Sequence, residues 1–333
     1  MITPQYLQQG DKIGIVAPAR KVKPAEIAYG IEQLKLAGFE IVEGNNLYGD
    51  FNQFSGTDNE RAADMQQMID NNSIKAIMCA RGGYGCVRIV DDIDWHPLMD
   101  NPKWLIGFSD ITVFHNHLHQ VLGMETIHAN MLVNYQAENF NSQSFDSLVA
   151  AITGNPLVYE WQTTDENKSM NHEGEMTAEI VGGNLSMLHT LTGTASDIET
   201  IGKILFIEDL EEYLYHIDRM MMNIKRSGKL EHIAALIVGA MSKMNDNAIP
   251  FGKSAQQIIS EHAAIAGCPV VYDFPAGHIE NNMALILGRE ATLTIGETNR
   301  LSFQHIESEE EADEENEGQV VYELELDSPE PKM

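Results

Sequence analysis

A chain of 333 residues has room for about two domains and a large core, and its 43% hydrophobic and 21% charged content are those of a soluble globular protein. Its 21 basic and 50 acidic residues leave a net charge of −29, which argues against nucleic acid and anionic membrane as partners, since both require a cationic face. Three cysteines, Cys79, Cys86 and Cys268, fit a reducing compartment, the cytoplasm, and form no zinc pattern.

The opening MITPQYLQQGDKIGIV lacks the basic start and apolar stretch of a signal peptide, and no uncharged apolar run reaches the ~18 residues of a membrane span. KIGIVAP (12–18) is β-branched, apolar and stopped by proline, which predicts a buried strand. KPAEIAYGIEQLKLAG (23–38) carries Ile27, Ile31 and Leu34 at helical spacing, with Gly38 as its C-terminal stop. FEIVEG (39–44) predicts a second strand. TDNERAADMQQMIDN (57–71) opens with the capping box Thr57/Glu60 and gathers Ala62, Met65, Met68 and Ile69 on one face. IKAIMCA (74–80) and KWLIGF (103–108) predict the third and fourth strands. This alternation argues for an α/β domain over 1–150, a mostly parallel sheet with flanking helices. Ligands of such sheets bind beyond the C-terminal strand ends, where Pro18-Ala19-Arg20, Arg81-Gly82-Gly83 and Ser109 fall.

Residues 151–176 are polar and poorly periodic, which predicts a linker. A smaller, β-rich domain with helices is expected over 177–305. It begins with TAEIVGGNLSMLHTLTGT (177–194) and continues as a strand and helix over 203–228, with Leu214, Ile217, Met221 and Ile224 facing inward. Further strands are expected in 232–241 and 268–278, and two short ones in 282–296, joined by Gly288-Arg289-Glu290. The acidic tail 306–333 has twelve acids and one lysine. Its run ESEEEADEENE (307–317) predicts a solvated segment, and VVYELELD (320–327) alternates as a half-buried strand would, docked on the body or on a second subunit, against the plainer reading of a disordered tail.

Five segments are candidates for chemistry. ARGGYGCVRIV (80–90) fits neither the phosphate-loop nor the dinucleotide pattern; it is a plain glycine turn, or one whose N–H groups meet an oxyanion. In HNHLHQ (115–120), Asn116 stands where a metalloprotease needs glutamate, so packed or surface histidines are expected and no metal site. GFSDI (107–111) partly matches a nucleophile elbow, with Ile111 in place of its second glycine. Ser109 is either a helix cap or a nucleophile with the Asp110 N–H beside it. A nucleophilic serine needs a base and an orienting carboxylate. Glu208, at a strand end, and His278, in a loop, are the candidates, whereas Asp209, Glu211 and Glu212 suit a helix start.

Together RGGYG, IGFSDIT, FIEDLEEYLYHIDRM and GHIENN, with GDKIGIVAPA and VGGNLSMLHTLTGT, resemble the LD-carboxypeptidase family of serine peptidases, the murein tetrapeptide carboxypeptidases, over about residues 8–296. The resemblance implies Ser109 as nucleophile, His278 as general base and acid, Glu208 orienting the imidazole, and an oxyanion hole from the Gly83 and Asp110 N–H groups. It implies release of terminal D-alanine from cytoplasmic muropeptides without metal or cofactor, in cell-wall recycling, by a homodimer. A related branch, the microcin-immunity proteins, cleaves peptidyl- or aminoacyl-nucleotides; a muropeptide-binding protein without turnover is the non-enzymatic alternative. A carboxypeptidase must also hold its substrate's terminal carboxylate, for which Arg81, beside the glycine turn, is the candidate.

Overall fold

The computed structural model describes residues 1–304 and 321–324. The first sheet takes its strands from β1 (Lys12–Val16), β2 (Glu40–Glu43), β3 (Ile74–Cys79), β4 (Trp104–Gly107) and β5 (Thr126–His128). Between them run α1 (Pro24–Leu36), α2 (Asp58–Asp70), the short α3 (Pro97–Asp100) and α4 (Thr112–Leu122). The local chemistry matches the sequence reading. Pro24 opens α1, whose Ile27, Ile31 and Leu34 are buried. At the start of α2, Thr57 and Glu60 exchange hydrogen bonds as a capping box. All pairings among these five strands are parallel.

The remaining elements are α5 (Ser142–Thr153), β6 (Val158–Trp161), α6 (Asp165–Lys168), β7 (Gly174–Asn184), α7 (Leu185–Leu191), β8 (Ile204–Leu210) and α8 (Leu214–Arg226). They continue with β9 (Ala235–Ser242), α9 (Ala255–Ala263), β10 (Val270–Val271), β11 (Leu285–Leu287), β12 (Glu290–Ile295), β13 (Asn299–Phe303) and β14 (Val321–Leu324). The second sheet has the order β10-β9-β8-β7-β12-β13-β6-β14, parallel from β10 to β7 and antiparallel from β7 through β6.

Three regions differ from the sequence reading. Residues 151–176, expected to be a linker, contain β6 and α6; Val158, Tyr159 and Trp161 are buried there and β6 pairs with β13. Four residues are too few to show a periodicity, and only the distant partner strand defines them. The two short strands of 282–296 belong to different sheets: β11 runs antiparallel to β5 in the first, and β12 pairs with β7 in the second. Of 268–278 only Val270–Val271 is a strand. Within the tail, β14 lies parallel to β6 of its own chain, with Tyr322 against Tyr159; residues 305–320 and 325–333 lie outside the described residues.

One apolar cluster runs through both sheets, from Ile13, Ile106 and Ile127 to Phe206, Ile237 and Phe274. The crossing from β11 to β12 is fastened by a buried ion pair, Arg289 Nε and Nη2 donating to the Glu125 carboxylate at 3.2 and 2.6 Å. Among the described residues no helix is long and apolar enough to cross a membrane. Replacing Arg289 by Met leaves Glu125 buried and unpaired, and should lower the free energy of urea unfolding by about 3–5 kcal/mol, whereas the double variant R289M/E125L should recover most of it. Equal losses in the two variants would contradict this reading of the pair.

Candidate active site

The first sheet ends β4 at Gly107, and the chain turns sharply through Phe108 into Ser109, the first residue of a single 3-10 turn (Ser109–Ile111) that leads into α4. Ser109 has φ +63°, a left-handed conformation that costs a non-glycine residue of order 1 kcal/mol or more. Ser109 is not a helix cap, because the capping positions of the 3-10 turn and of α4 fall on Phe108 and Ile111. Ile111 fills the room that Gly107 vacates. A Cβ on Gly107 would lie 2.8 Å from the Ile111 side chain, so this turn has one small residue and one large one where the usual elbow has two small ones.

Ser109 Oγ lies 3.1 Å from His278 Nε2, and His278 Nδ1 lies 2.7 Å from Glu208 Oε2. His278 occupies the loop between β10 and β11, where the chain passes from the second sheet to the first, so its ring stands between them. Its carbonyl accepts a hydrogen bond from Ser242 Oγ at 2.8 Å, and Phe108 packs on the ring at 4.8 Å between centroids. Glu208, in β8, is wholly buried; its second oxygen accepts from Asn184 Nδ2 at 3.2 Å. Burial pulls the imidazole pKa down, but the charge of Glu208 and its hydrogen bond, with Asp209 and Glu211 behind it, outweigh this and hold it above the ordinary histidine value.

Beside Ser109, the Asp110 N–H belongs to the first turn of its helix and has no intrahelical partner. The glycine turn lies alongside: a Cβ on Gly82 would come within 3.3 Å of Ser109 Cβ. The Asp110 carboxylate, buried, accepts the Cys86 N–H at 2.8 Å and so ties the glycine turn to the serine turn. Gly83 and Asp110 both line the cleft over Ser109, a space of about 400 Å³. The arrangement can activate a hydroxyl, and can offer N–H groups to a developing oxyanion. Arg81 also lines the cleft, with its guanidinium 3.3 Å from Glu26.

Asp209, Glu211 and Glu212 do not start a helix. The first turn of α8 contains no acid and follows Tyr213. Asp209 ends inside β8, buried, where its carboxylate accepts from Asn184 Nδ2, the Leu210 N–H and both the N–H and hydroxyl of Ser186. Burial and the neighbouring Glu208 push its pKa up to about 6. Asn184, which bridges Glu208 and Asp209, was not identified from sequence; its one signal is its place at the end of VGGN, after an apolar run. The helix histidines are packed: His115 meets the Gly107 carbonyl at 2.9 Å, His117 meets Ser196 Oγ at 2.8 Å, and His119 pairs with Glu179. No cluster suited to a metal ion occurs among the described residues.

Comparison with known proteins follows the same two-part division. Residues 13–129 match the family profile of the LD-carboxypeptidase N-terminal domain, and 177–293 that of the LD-carboxypeptidase C-terminal domain. A Bacillus subtilis protein named "probable murein peptide carboxypeptidase" is 32% identical, covering 88% of this chain and 92% of its own length. The murein tetrapeptide carboxypeptidase of Pseudomonas aeruginosa is 26% identical over 88% of this chain and 95% of its own. The crystal structure of muramoyltetrapeptide carboxypeptidase from Oxalobacter formigenes superposes with a TM-score of 0.79 at 26% identity, over 88% of this chain and 98% of that one. A microcin C7 self-immunity protein superposes at 0.81, over 92% of this chain and all of that one, but at 22% identity the likeness is one of fold alone.

The electrostatics of the site can be read without substrate. In NMR titrations of the ring nitrogens, His278 should titrate above the ordinary value near 6.5, and Glu208→Gln should lower it, because the chief influence opposing burial is then removed while Asp209 and Glu211 remain. An unchanged pKa in the variant would contradict the coupling.

Proposed function

The chain belongs to the LD-carboxypeptidase family of serine-type hydrolases, and from that membership we propose that it releases terminal D-alanine from murein tetrapeptides in the cytoplasm, through an acyl-enzyme on Ser109. The observation that carries this reading is the unbroken run of hydrogen bonds from Ser109 Oγ through His278 to Glu208, at 3.1 and 2.7 Å. Ser109 Oγ attacks the carbonyl carbon of the bond before D-alanine while His278 Nε2 takes its proton. The electron pair of the carbonyl moves onto oxygen, where the Gly83 and Asp110 N–H groups stabilise it. Glu208 holds the imidazole in register and balances its positive charge. Collapse of the intermediate breaks the C–N bond, and the imidazolium protonates the departing amine. Water then attacks the ester with His278 again as base, and the tripeptide leaves.

The free cysteines support a reducing location, and the net charge of −29 a small-molecule substrate over nucleic acid or membrane. The family resemblance adds a homodimer, which sedimentation of the purified chain reads directly.

Purified protein incubated with free tetrapeptide should yield tripeptide and D-alanine by mass spectrometry, and Ser109→Ala should lower kcat at least about 10³-fold while the fold is retained. Because the base must be neutral, kcat/KM should fall as pH drops through the raised His278 pKa. Cleavage of an acyl-sulfamoyl nucleotide with no D-alanine release would move the chain to the immunity-protein branch. Undiminished turnover in Ser109→Ala would end the proposal.

A further inference from the structure

We propose that Arg20, rather than Arg81, receives the terminal carboxylate of the residue being released; the assignment rests on the carboxypeptidase reading above. Arg20 directly follows the Pro18-Ala19 pair after β1, at the C-terminal edge of the first sheet, and lines the same cleft as Ser109, Asp110 and His278. Its backbone N–H donates to the Gly82 carbonyl at 3.3 Å, which fixes it to the glycine turn. Its side chain then runs across Gly83. A Cβ there would lie 2.5 Å from Arg20 Cδ and 2.8 Å from Nε, so the missing side chain of Gly83 is the groove in which the arginine rests. Gly83 has φ +109°, which also favours glycine. The guanidinium is thereby held next to one of the two N–H groups offered to the oxyanion. That is where a carboxypeptidase requires a cation, because the terminal carboxylate sits one residue beyond the reacting carbonyl.

The pairing of the other cations points the same way. Arg81 is engaged by Glu26, Lys21 by Asp50, and Arg61 and Arg88 share Asp58. Among the described residues no carboxylate forms an ion pair with Arg20; the buried Asp110 feels its charge from farther off, and the guanidinium is left to a ligand. The part of the cleft contributed by the end of β8 and the turn after it carries Asp209, Glu211 and Glu212, with Glu211 beside Lys243 and Glu212 beside His216. A substrate carboxylate is repelled from that part and drawn to the one where Arg20 stands, which sets the direction of the peptide: leaving residue over the glycine turn, acyl portion toward the second domain.

The test compares a tetrapeptide bearing a free terminal carboxylate with the same peptide as its terminal carboxamide, reading kcat and KM by release of D-alanine or D-alaninamide. The wild-type chain should prefer the acid. Arg20→Gln should lose about 10- to 100-fold in kcat/KM on the acid and little on the amide, so the preference collapses, and Arg20→Lys should restore part of it. Retention of the wild-type preference in Arg20→Gln, or its loss in Arg81→Gln but not in Arg20→Gln, would overturn the assignment and leave the carboxypeptidase reading intact. A wild-type chain that releases no D-alanine from either peptide would overturn both.

Discussion

The bond between His278 Nε2 and Ser109 Oγ joins two sheets that are far apart in the chain, and the site exists only while that junction holds. Its geometry follows from one topological feature. After β10 the chain leaves the second sheet and joins the first as β11, antiparallel to β5, so the loop that carries His278 is anchored at one end in each sheet. Polar contacts pin the junction elsewhere: Asn184 N–H donates to Thr112 Oγ1 at 3.0 Å, and Asn282 Nδ2 donates to Asn130 Oδ1 at 3.1 Å while its own carbonyl accepts from the Gly277 N–H. Beneath them Phe108, His128 and Phe206 form a continuous run of edge-to-face ring contacts across the interface. The apolar core thus sets the distance at which a proton can pass.

The same junction carries unfavourable terms. Glu208 is wholly buried, and an isolated carboxylate there would cost several kcal/mol; the imidazole and Asn184 offset this by satisfying both its oxygens. Asp209, its immediate neighbour, places a second carboxylate in the same interior and needs four donors of its own. Ser109 adds the cost of its left-handed backbone. These are groups arranged against local stability, and the surrounding hydrogen bonds are what keep them in place. The buried Asp110 carboxylate belongs to this support, since its bond to the Cys86 N–H fixes the glycine turn relative to the serine turn.

Much of the first domain is legible in the sequence because its signals are local. β-branched runs mark β1 and β3, Thr57 and Glu60 mark the start of α2, and helical spacing marks α1. The second domain is less so. The polar stretch around Val158–Trp161 becomes a strand through partners more than a hundred residues away, and β11 and β12, three residues apart, enter different sheets for reasons no local pattern contains. At the site, Ser109, Glu208 and His278 stand out by residue type and by their joint motifs. Arg20 is marked only by its place beyond the end of β1, with no role attached, and Asn184 hardly at all, since an asparagine after two glycines is ordinary until the fold sets it beside a serine.

The account holds that a hydroxyl from one domain and an imidazole from the other act as a single unit. A double-mutant cycle of Ser109→Ala and His278→Ala on kcat for tetrapeptide hydrolysis tests this most directly. The account predicts that the double variant is no slower than the slower single variant, because either change alone already abolishes the shared step. Losses that multiply, each variant slowing the other's residual rate by its own full factor, would contradict it.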